Sequence, residues 1–412
     1  LNLRVNRKNK FMDFRSLKEM DVKGQRVLLR ADLNVPAQRG KVTDTTRIDR
    51  LKPTIDYLRA AGAKVLILSH FGRPEGEQNP EMSLAFLVQT LEECWGAEVG
   101  FAADCIGARA EKAVSGMVDG DVLLLENVRF HKGETHNDAD FVKALAALGD
   151  VYVNDAFSAA HRAHATTEGL AHHLPAAAGL LMEQELKALD AALGNPQKPV
   201  MAIAGGSKIS SKINVLNNLV ERADYLVLGG GMANTFLNAQ GADVGSSLCE
   251  HDMANEAKAI MANAAKHGCE IVLPTDCVVV DELKPKAAFE IVPSSSIPAD
   301  KMAIDIGPDS VAHIAAIMKG CKTLVWNGPM GVFEIKPFDA GTNALAAAVV
   351  ALTEAGSLTS IAGGGDTIAA LENADACEKL SYVSTAGGAF LEWLEGKTLP
   401  GIAALSESPK AA

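Results

Sequence analysis

The feature that most constrains this chain is a recurring pair: a short unbroken apolar run, then a glycine or polar cluster that opens a helical pattern. The first half contains "RVLLRADLN", "KVLILSH", "VLLLENVRF" and "VYVNDAF". The second contains "PVMAIAGGS", "YLVLGGG", "EIVLPTD", "TLVWNGP", "SIAGGGDT" and "SYVSTAGG". Continuous apolar strands alternating with helices predict parallel sheets covered on both faces. At 412 residues the chain is long enough for two or three domains. The expected fold is α/β, with two Rossmann-like domains, each a mainly parallel sheet covered by helices. A linker helix is expected to join them, with a cleft and hinge between. The candidate is "LLMEQELKALDAALGNPQKP", where Leu181, Leu186, Leu189 and Leu193 fit one apolar face and Gly194-Asn195-Pro196 ends it. An ordinary surface helix within one domain fits the same pattern. No internal repeat or low-complexity segment stands out.

Ligands of such sheets bind at the carboxyl ends of the strands, and there the two halves differ. The first half places side chains at those ends: Asp32, Asn34, His70, Arg73, Arg129, His161, Arg162 and His164. The second places glycine: Gly205–Gly206, Gly229–Gly231, Gly328, Gly331, Gly363–Gly365 and Gly387–Gly388. Arginine forks pair with carboxylate or phosphate oxygens. Glycine lets backbone N–H groups at a helix start approach a phosphate closely. One half therefore reads as a site for a small, multiply charged anion and the other as a nucleotide site.

The formal net charge is −12, from 39 basic and 51 acidic residues. That argues against nucleic acid or an anionic membrane as the main partner, so an anionic substrate needs a local basic cluster. No apolar run reaches the roughly 18–20 residues of a membrane span. Seven cysteines without CxxC pairs or framework spacing read as small apolar residues in a reducing cytosol. The basic opening "LNLRVNRKNKF" reads as vector sequence or a disordered leader; a native basic arm is the alternative.

Individual motifs are ambiguous. Asp32 and Asn34 in "RADLNVP" would share one side of the pleat and suit a substrate hydroxyl, or close the strand as an Asx-turn. His161 and His164 lack a third ligand at metal spacing. "AIAGGSKISSKINVL" lacks the second glycine of a P-loop. A helix starting near Ser207 would instead put Lys208 and Lys212, four apart, on one face. "LGGGMANTF" lacks the G-x-G-x-x-G of a Rossmann dehydrogenase.

In order along the chain, "RVLLRADLNVP", "SHFGRP", "LLLENVRF", "NDAFSAAHRAHA", "GGSKISSK", "GGGMANTF", "LVWNGPMGVFE", "IAGGGDT" and "STAGGAFLEWLEGKTLPG" resemble phosphoglycerate kinase from about Met12 to Leu405. The resemblance implies reversible, Mg2+-dependent transfer of the acyl phosphate of 1,3-bisphosphoglycerate to ADP, giving 3-phosphoglycerate and ATP. It implies a cytoplasmic monomer. The implied domains are a 3-phosphoglycerate domain at 12–182, with about 393–412 packing back on it, and a nucleotide domain at 183–392. Residues 1–11 lie outside both. Carried onto matching positions, Asp32, Asn34, Arg47, His70, Arg73, Arg129 and Arg162 would bind the phosphoglycerate. Lys208, Lys212, Gly230, Glu334, Gly363, Gly364, Gly365, Asp366 and Thr367 would bind nucleotide, with Asp366 linked to magnesium. Arg47, Lys208, Gly387 and Gly388 would stabilise the phosphoryl group in flight. A carboxylate nucleophile is ionised at neutral pH, so no general base is expected. A scaffold without catalysis would not need Arg47, Lys208 and Asp366 together. The chain departs from the family pattern at Ser158-Ala159, where Gly-Thr is usual, and at Ala386, where glycine is usual.

Overall fold

The structure, a computed structural model, describes residues 14–409. The chain forms two compact units, Leu1–Lys187 with Thr398–Ala412, and Ala188–Lys397. Residues 1–11 therefore lie outside the described residues. The boundaries fall at Lys187/Ala188 and Lys397/Thr398, a few residues beyond the expected 182/183 and 392/393.

Each unit is built on a six-stranded, all-parallel sheet. In the first, the order across the sheet is Val99–Ala102, Val122–Leu125, Lys64–Leu68, Arg26–Arg30, Val151–Asn154, Ala176–Ala178. In the second it is Glu270–Val272, Tyr225–Leu228, Val200–Ala204, Thr323–Asn327, Thr359–Gly363, Tyr382–Ser384. Numbered along its own unit, the second sheet reads 3-2-1-4-5-6, the order of dinucleotide folds. The first reads 3-4-2-1-5-6, with its fourth strand inserted beside the second. Both reverse direction beside their first strand, between Arg26–Arg30 and Val151–Asn154 in one and between Val200–Ala204 and Thr323–Asn327 in the other. A crevice opens at such a switch point because the connections leave it on opposite faces.

The strands are buried on both sides because helices cover both. Helix Thr46–Ala60 turns Ile48, Leu51, Ile55 and Leu58 inward at helical spacing. They join Val27, Leu29, Ile67 and Val153 in one apolar cluster. Each fully buried aliphatic side chain contributes about 1.5–3 kcal/mol by leaving water. Met201, Ile203, Leu324 and Trp326 pack with Ile314, Leu345 and Val349 in the second unit. A three-stranded antiparallel sheet, Glu290–Pro293, Asp276–Val280 and Met302–Ile306, lies between the third and fourth strands of that unit in sequence and was not anticipated.

Helix Leu180–Leu189 continues as a wider π-turn over Asp190–Gly194 and stops at the expected glycine. Leu186, Leu189 and Leu193 are buried. The division of the chain falls inside this helix. Its first turn is tied to the first unit: Met182 N–H donates to Asp155 Oδ1 at 2.8 Å and Leu180 N–H to Thr54 Oγ1 at 3.2 Å. The terminal segment also joins the first unit, where Gly401 N–H donates to the Ala160 carbonyl at 2.9 Å. An added Cβ at Gly401 would lie 3.0 Å from Ala160 Cα. No helix among the described residues is long and apolar enough to cross a membrane.

Candidate functional site

In the first unit the segments that follow four strands, Arg26–Arg30, Lys64–Leu68, Val122–Leu125 and Val151–Asn154, surround a cavity of about 910 Å³. Asn34, His70, Arg73, Arg129 and Arg162 line it together, as the sequence predicts. Asp32 and Arg47 adjoin it through Asn34 and Ser158. Arg47, in the first turn of helix Thr46–Ala60, sits 2.8 Å from Asp32 Oδ2 and donates to the Asn34 carbonyl at 2.8 Å. Ser158, at the first departure from the family pattern, donates its hydroxyl to that same Asp32 oxygen. The bond from Ser158 to Asp32 spans the switch point of the sheet.

The pleat argument for Asp32 and Asn34 does not hold. The strand ends at Arg30, and both residues lie in the loop beyond it. Asp32 Oδ1 instead accepts from Asn34 N–H at 3.1 Å, so the Asx-turn is real and uses one carboxylate oxygen. Asn34 Oδ1 accepts from Gly72 N–H at 3.1 Å. Arg129 donates to the Gly72 carbonyl at 2.9 Å. Gly72 takes φ +64°, which lets the loop fold back between these partners.

Beneath the cavity lies a network the sequence reading missed. Arg30 is 1% exposed and donates Nε to Thr166 Oγ1 at 3.0 Å. Thr166 donates that hydroxyl to Glu134 Oε1 at 2.6 Å and its N–H to Glu134 Oε2 at 3.0 Å. Burial pushes the Glu134 carboxyl up, and the Arg30 charge opposes the shift. A buried cation and carboxylate joined through a hydroxyl satisfy each other where neither could stand alone. The only sequence signals were a charged residue closing an apolar strand and a glutamate in "HKGETH", both too common to be noticed.

The cavity is cationic although the chain is acidic. Arg73, Arg129, Lys132 and Arg162 line it. Burial, helped by Arg129 and Arg30, lowers His164 to about 4. His161 Nε2 accepts from Arg162 Nε at 3.0 Å. Burial also lowers Arg129, with Arg30 adding to it. Among the described residues one His/Cys/Asp group has donor atoms within 4.8 Å of each other, Asp104, Cys105 and His131. It is not the histidine pair considered from sequence. His131 Nε2 already bonds Asp104 Oδ1 at 2.8 Å, and burial raises the Cys105 thiol well away from the thiolate a metal needs.

In the second unit the predicted residues again gather at strand ends, but two local expectations fail. No helix begins near Ser207. Residues 205–212 form a loop, and the helix is Ile213–Val220. Lys208 and Lys212 therefore do not share a helical face, and they differ in kind. Lys208 is exposed. Lys212 folds back, donating Nζ to the Gly205 carbonyl at 2.9 Å and to Asn327 Oδ1 at 2.7 Å. Burial lowers its ammonium to about 8, opposed by the charge of Asp366. Glu250, unremarked in the sequence, holds the loop by accepting from Ser210 N–H at 3.0 Å and from its hydroxyl at 2.6 Å.

The glycines also divide into two kinds. A Cβ at Gly363 would lie 2.7 Å from the Phe390 ring, and one at Gly229 2.7 Å from Met330 Sδ. An added Cβ at Gly230 would lie 2.7 Å from the Gly206 carbonyl oxygen. These positions are small because backbone and side chains close on them, as in ordinary tight packing. A Cβ at Gly365 or Gly387 would meet nothing within 4 Å, so those two face open space. Gly365 opens helix Gly365–Asn373, where Asp366 is exposed. Gly387, at φ +54°, precedes helix Gly388–Leu394. The residue needing positive φ is thus Gly387, and Ala386 is not among the positive-φ residues. The Thr367 hydroxyl is committed internally, donating to the Gly363 carbonyl at 2.9 Å and accepting from Gly328 N–H at 2.7 Å. Glu334 is exposed in the turns after "WNGPM".

A sequence model of the family described as Phosphoglycerate kinase matches residues 17–397. The chain is 59% identical over 397 residues to the phosphoglycerate kinase of Rhizobium meliloti, covering 96% of this chain and 100% of that protein. It is 60% identical over 386 residues to that of Agrobacterium fabrum, covering 94% and 96%. Its fold is similar to the phosphoglycerate kinase structure from Coxiella burnetii, with a TM-score of 0.90, 44% identity and coverage of 96% and 99%. The corresponding values for the structure from Pyrococcus horikoshii are 0.77, 30%, 95% and 98%.

Proposed function

The chain belongs to the phosphoglycerate kinase family, and from that premise we propose how its residues divide the family's reaction between the two units. The reaction is reversible phosphoryl transfer between 1,3-bisphosphoglycerate and ADP, giving 3-phosphoglycerate and ATP. The observation that carries the division is the cavity of about 910 Å³ walled by Arg73, Arg129 and Arg162 in the first unit. The strand ends of the second unit instead present glycines and a half-buried lysine.

Phosphoglycerate occupies the first cavity. Arg73, Arg129 and Arg162 hold the phosphate that is not transferred, through paired donors on a planar fork. His70 adds a neutral donor. Asp32 and Asn34 take the glycerate hydroxyl, which replaces the Ser158 hydroxyl or shares the carboxylate with it. Arg47 lies at the carboxyl end, where the transferred group arrives.

The nucleotide lies at the strand ends of the second unit. N–H groups at Gly364, Gly365 and Thr367 meet phosphate at a helix start. The half-buried Lys212 fixes the loop and contributes its charge to a nucleotide phosphate, while the exposed Lys208 is free to follow the transferred group. Glu334 accepts from the ribose hydroxyls; Gly230 is closed in by the Gly206 carbonyl, so it shapes the wall beside the base rather than opening room for it. Gly387 and Gly388 offer N–H groups to the phosphoryl oxygens.

Asp366 would hold Mg2+. It belongs to no multi-ligand cluster among the described residues, and one carboxylate suits an ion that takes its other ligands from phosphates and water. Magnesium, when bound, neutralises charge on the nucleotide phosphates. The chain's own part is alignment: an in-line approach of an already ionised carboxylate needs positioned cations and no general base. Water would hydrolyse the acyl phosphate, so it must be kept from the reacting groups during transfer. All ligands in this division are assigned to one chain, and a monomer is the proposed working unit. Seven free cysteines support a reducing, cytoplasmic setting.

The direct test is turnover of 3-phosphoglycerate and MgATP, coupled to a dehydrogenase that consumes the product. Saturable turnover is expected. Absence of turnover with folded protein would falsify the assignment.

A further inference from the structure

His70 poses a question that its burial makes answerable: which of its ring nitrogens carries the proton? The ring is 8% exposed and lines the anion cavity. Its Nδ1 lies 2.8 Å from Arg30 Nη2. A tautomer usually has to be inferred from partners that can both give and accept. Here the partner is a guanidinium, which has five donors, no acceptor and no accessible neutral form. The lone pair must therefore be on Nδ1 and the ring must be neutral, with its proton on Nε2.

Arg30 itself cannot turn away. Its Nη1 donates to the Ala31 carbonyl and its Nε to Thr166 Oγ1 at 3.0 Å. Thr166 is held in turn by the fully buried Glu134 and by Tyr152, whose hydroxyl donates to the Thr166 carbonyl at 2.7 Å. Strand end, loop and buried carboxylate thus fix the direction of one N–H.

We propose that Arg30 is a positioning residue of the phosphoglycerate site: by bonding Nδ1 it holds His70 as the neutral tautomer with its proton on Nε2, so that a bound anion meets a donor rather than a lone pair. The inference rests on the placing of phosphoglycerate in this cavity. Its chemical content is selectivity by hydrogen bond at a position where a second charge would crowd the arginines. The charged groups around the ring are Arg30, Arg129 and Arg47, with neutral His164 beside them. All oppose a proton, and with burial they keep His70 well below the ordinary imidazole range. Recognition at His70 is accordingly insensitive to pH across neutrality.

The test is long-range 1H–15N correlation on the full chain labelled with 15N-histidine, without substrate, with the His70 signals assigned by His70→Gln. The wild type should show a bare Nδ1, a protonated Nε2 and no titration between about pH 5.5 and 8. An imidazolium, or a protonated Nδ1, in that range would overturn the proposal outright, whatever any variant does. Arg30→Lys keeps the buried charge but cannot reach all three partners. It should mix the tautomers or bring the ring into titration, and raise KM for 3-phosphoglycerate about tenfold, with KM for ATP and kcat nearly unchanged. In a His70→Gln background the same change should add twofold or less, because no ring remains to be held. Unaltered signals together with unaltered KM in Arg30→Lys would refute the positioning role. Altered signals with unaltered KM would instead refute the placing of phosphoglycerate here, and so separate the two ideas.

Discussion

In the proposed division of the reaction, the two units hold a polyanion at the open end of a parallel sheet with opposite materials. The first uses side chains: three arginines around a cavity, a carboxylate shared by Arg47 and Ser158, and a buried Arg30–Thr166–Glu134 chain beneath. The second uses backbone: Gly365 and Gly387 facing open space at helix starts, with one lysine pulled inward to tie two strand ends together. The difference follows from the ligands assigned to them. A small, highly charged acid must be gripped from several sides, which needs forked donors at varied distances. A nucleotide offers a longer phosphate chain that oriented N–H groups can track. Even the sheets differ, since only the second has the 3-2-1-4-5-6 order.

The sharpest break of that comparison would come from Lys208, the one exposed charge assigned to the transfer itself. Lys208→Ala is expected to lower kcat by about 10²–10³, as for loss of a transition-state donor. A rise in KM alone would make it an ordinary nucleotide ligand. Next in size is Arg162→Ala, for which KM for 3-phosphoglycerate should rise on the order of 10–100-fold through loss of charge-assisted bonds. ATP affinity should stay within about twofold; equal loss of both would erase the distinction between the units.

The pH dependence of binding separates the units more gently. Lys212 holds its proton only to about 8 in the free protein. Its ammonium form binds phosphate, so nucleotide affinity measured by calorimetry should fall about fourfold from pH 7 to 8.5. Affinity for 3-phosphoglycerate should not follow, because its arginines stay charged. Lys212→Arg should flatten the nucleotide profile. The smallest effect is expected for Glu334→Gln, about two- to fivefold in KM for ADP with kcat kept, since one exposed hydrogen bond contributes on the order of 1 kcal/mol.

What could be read from the chain alone was set by short-range periodicity and by residue type. Apolar runs located the strands, Gly194 stopped the linker helix where it should, and Asn34, His70, Arg73, Arg129 and Arg162 stood at strand ends that a parallel sheet brings together. The contrast between an arginine half and a glycine half was likewise visible, because side-chain chemistry is written residue by residue. Tertiary structure decided the rest. The order of strands, the helix that begins at Ile213 rather than near Ser207, and the sorting of glycines into packed and open depend on partners far along the chain. So does the proton on His70: Arg30, Thr166 and Glu134 are ordinary residues in sequence, and they acquire direction only when burial removes the water that would otherwise satisfy them.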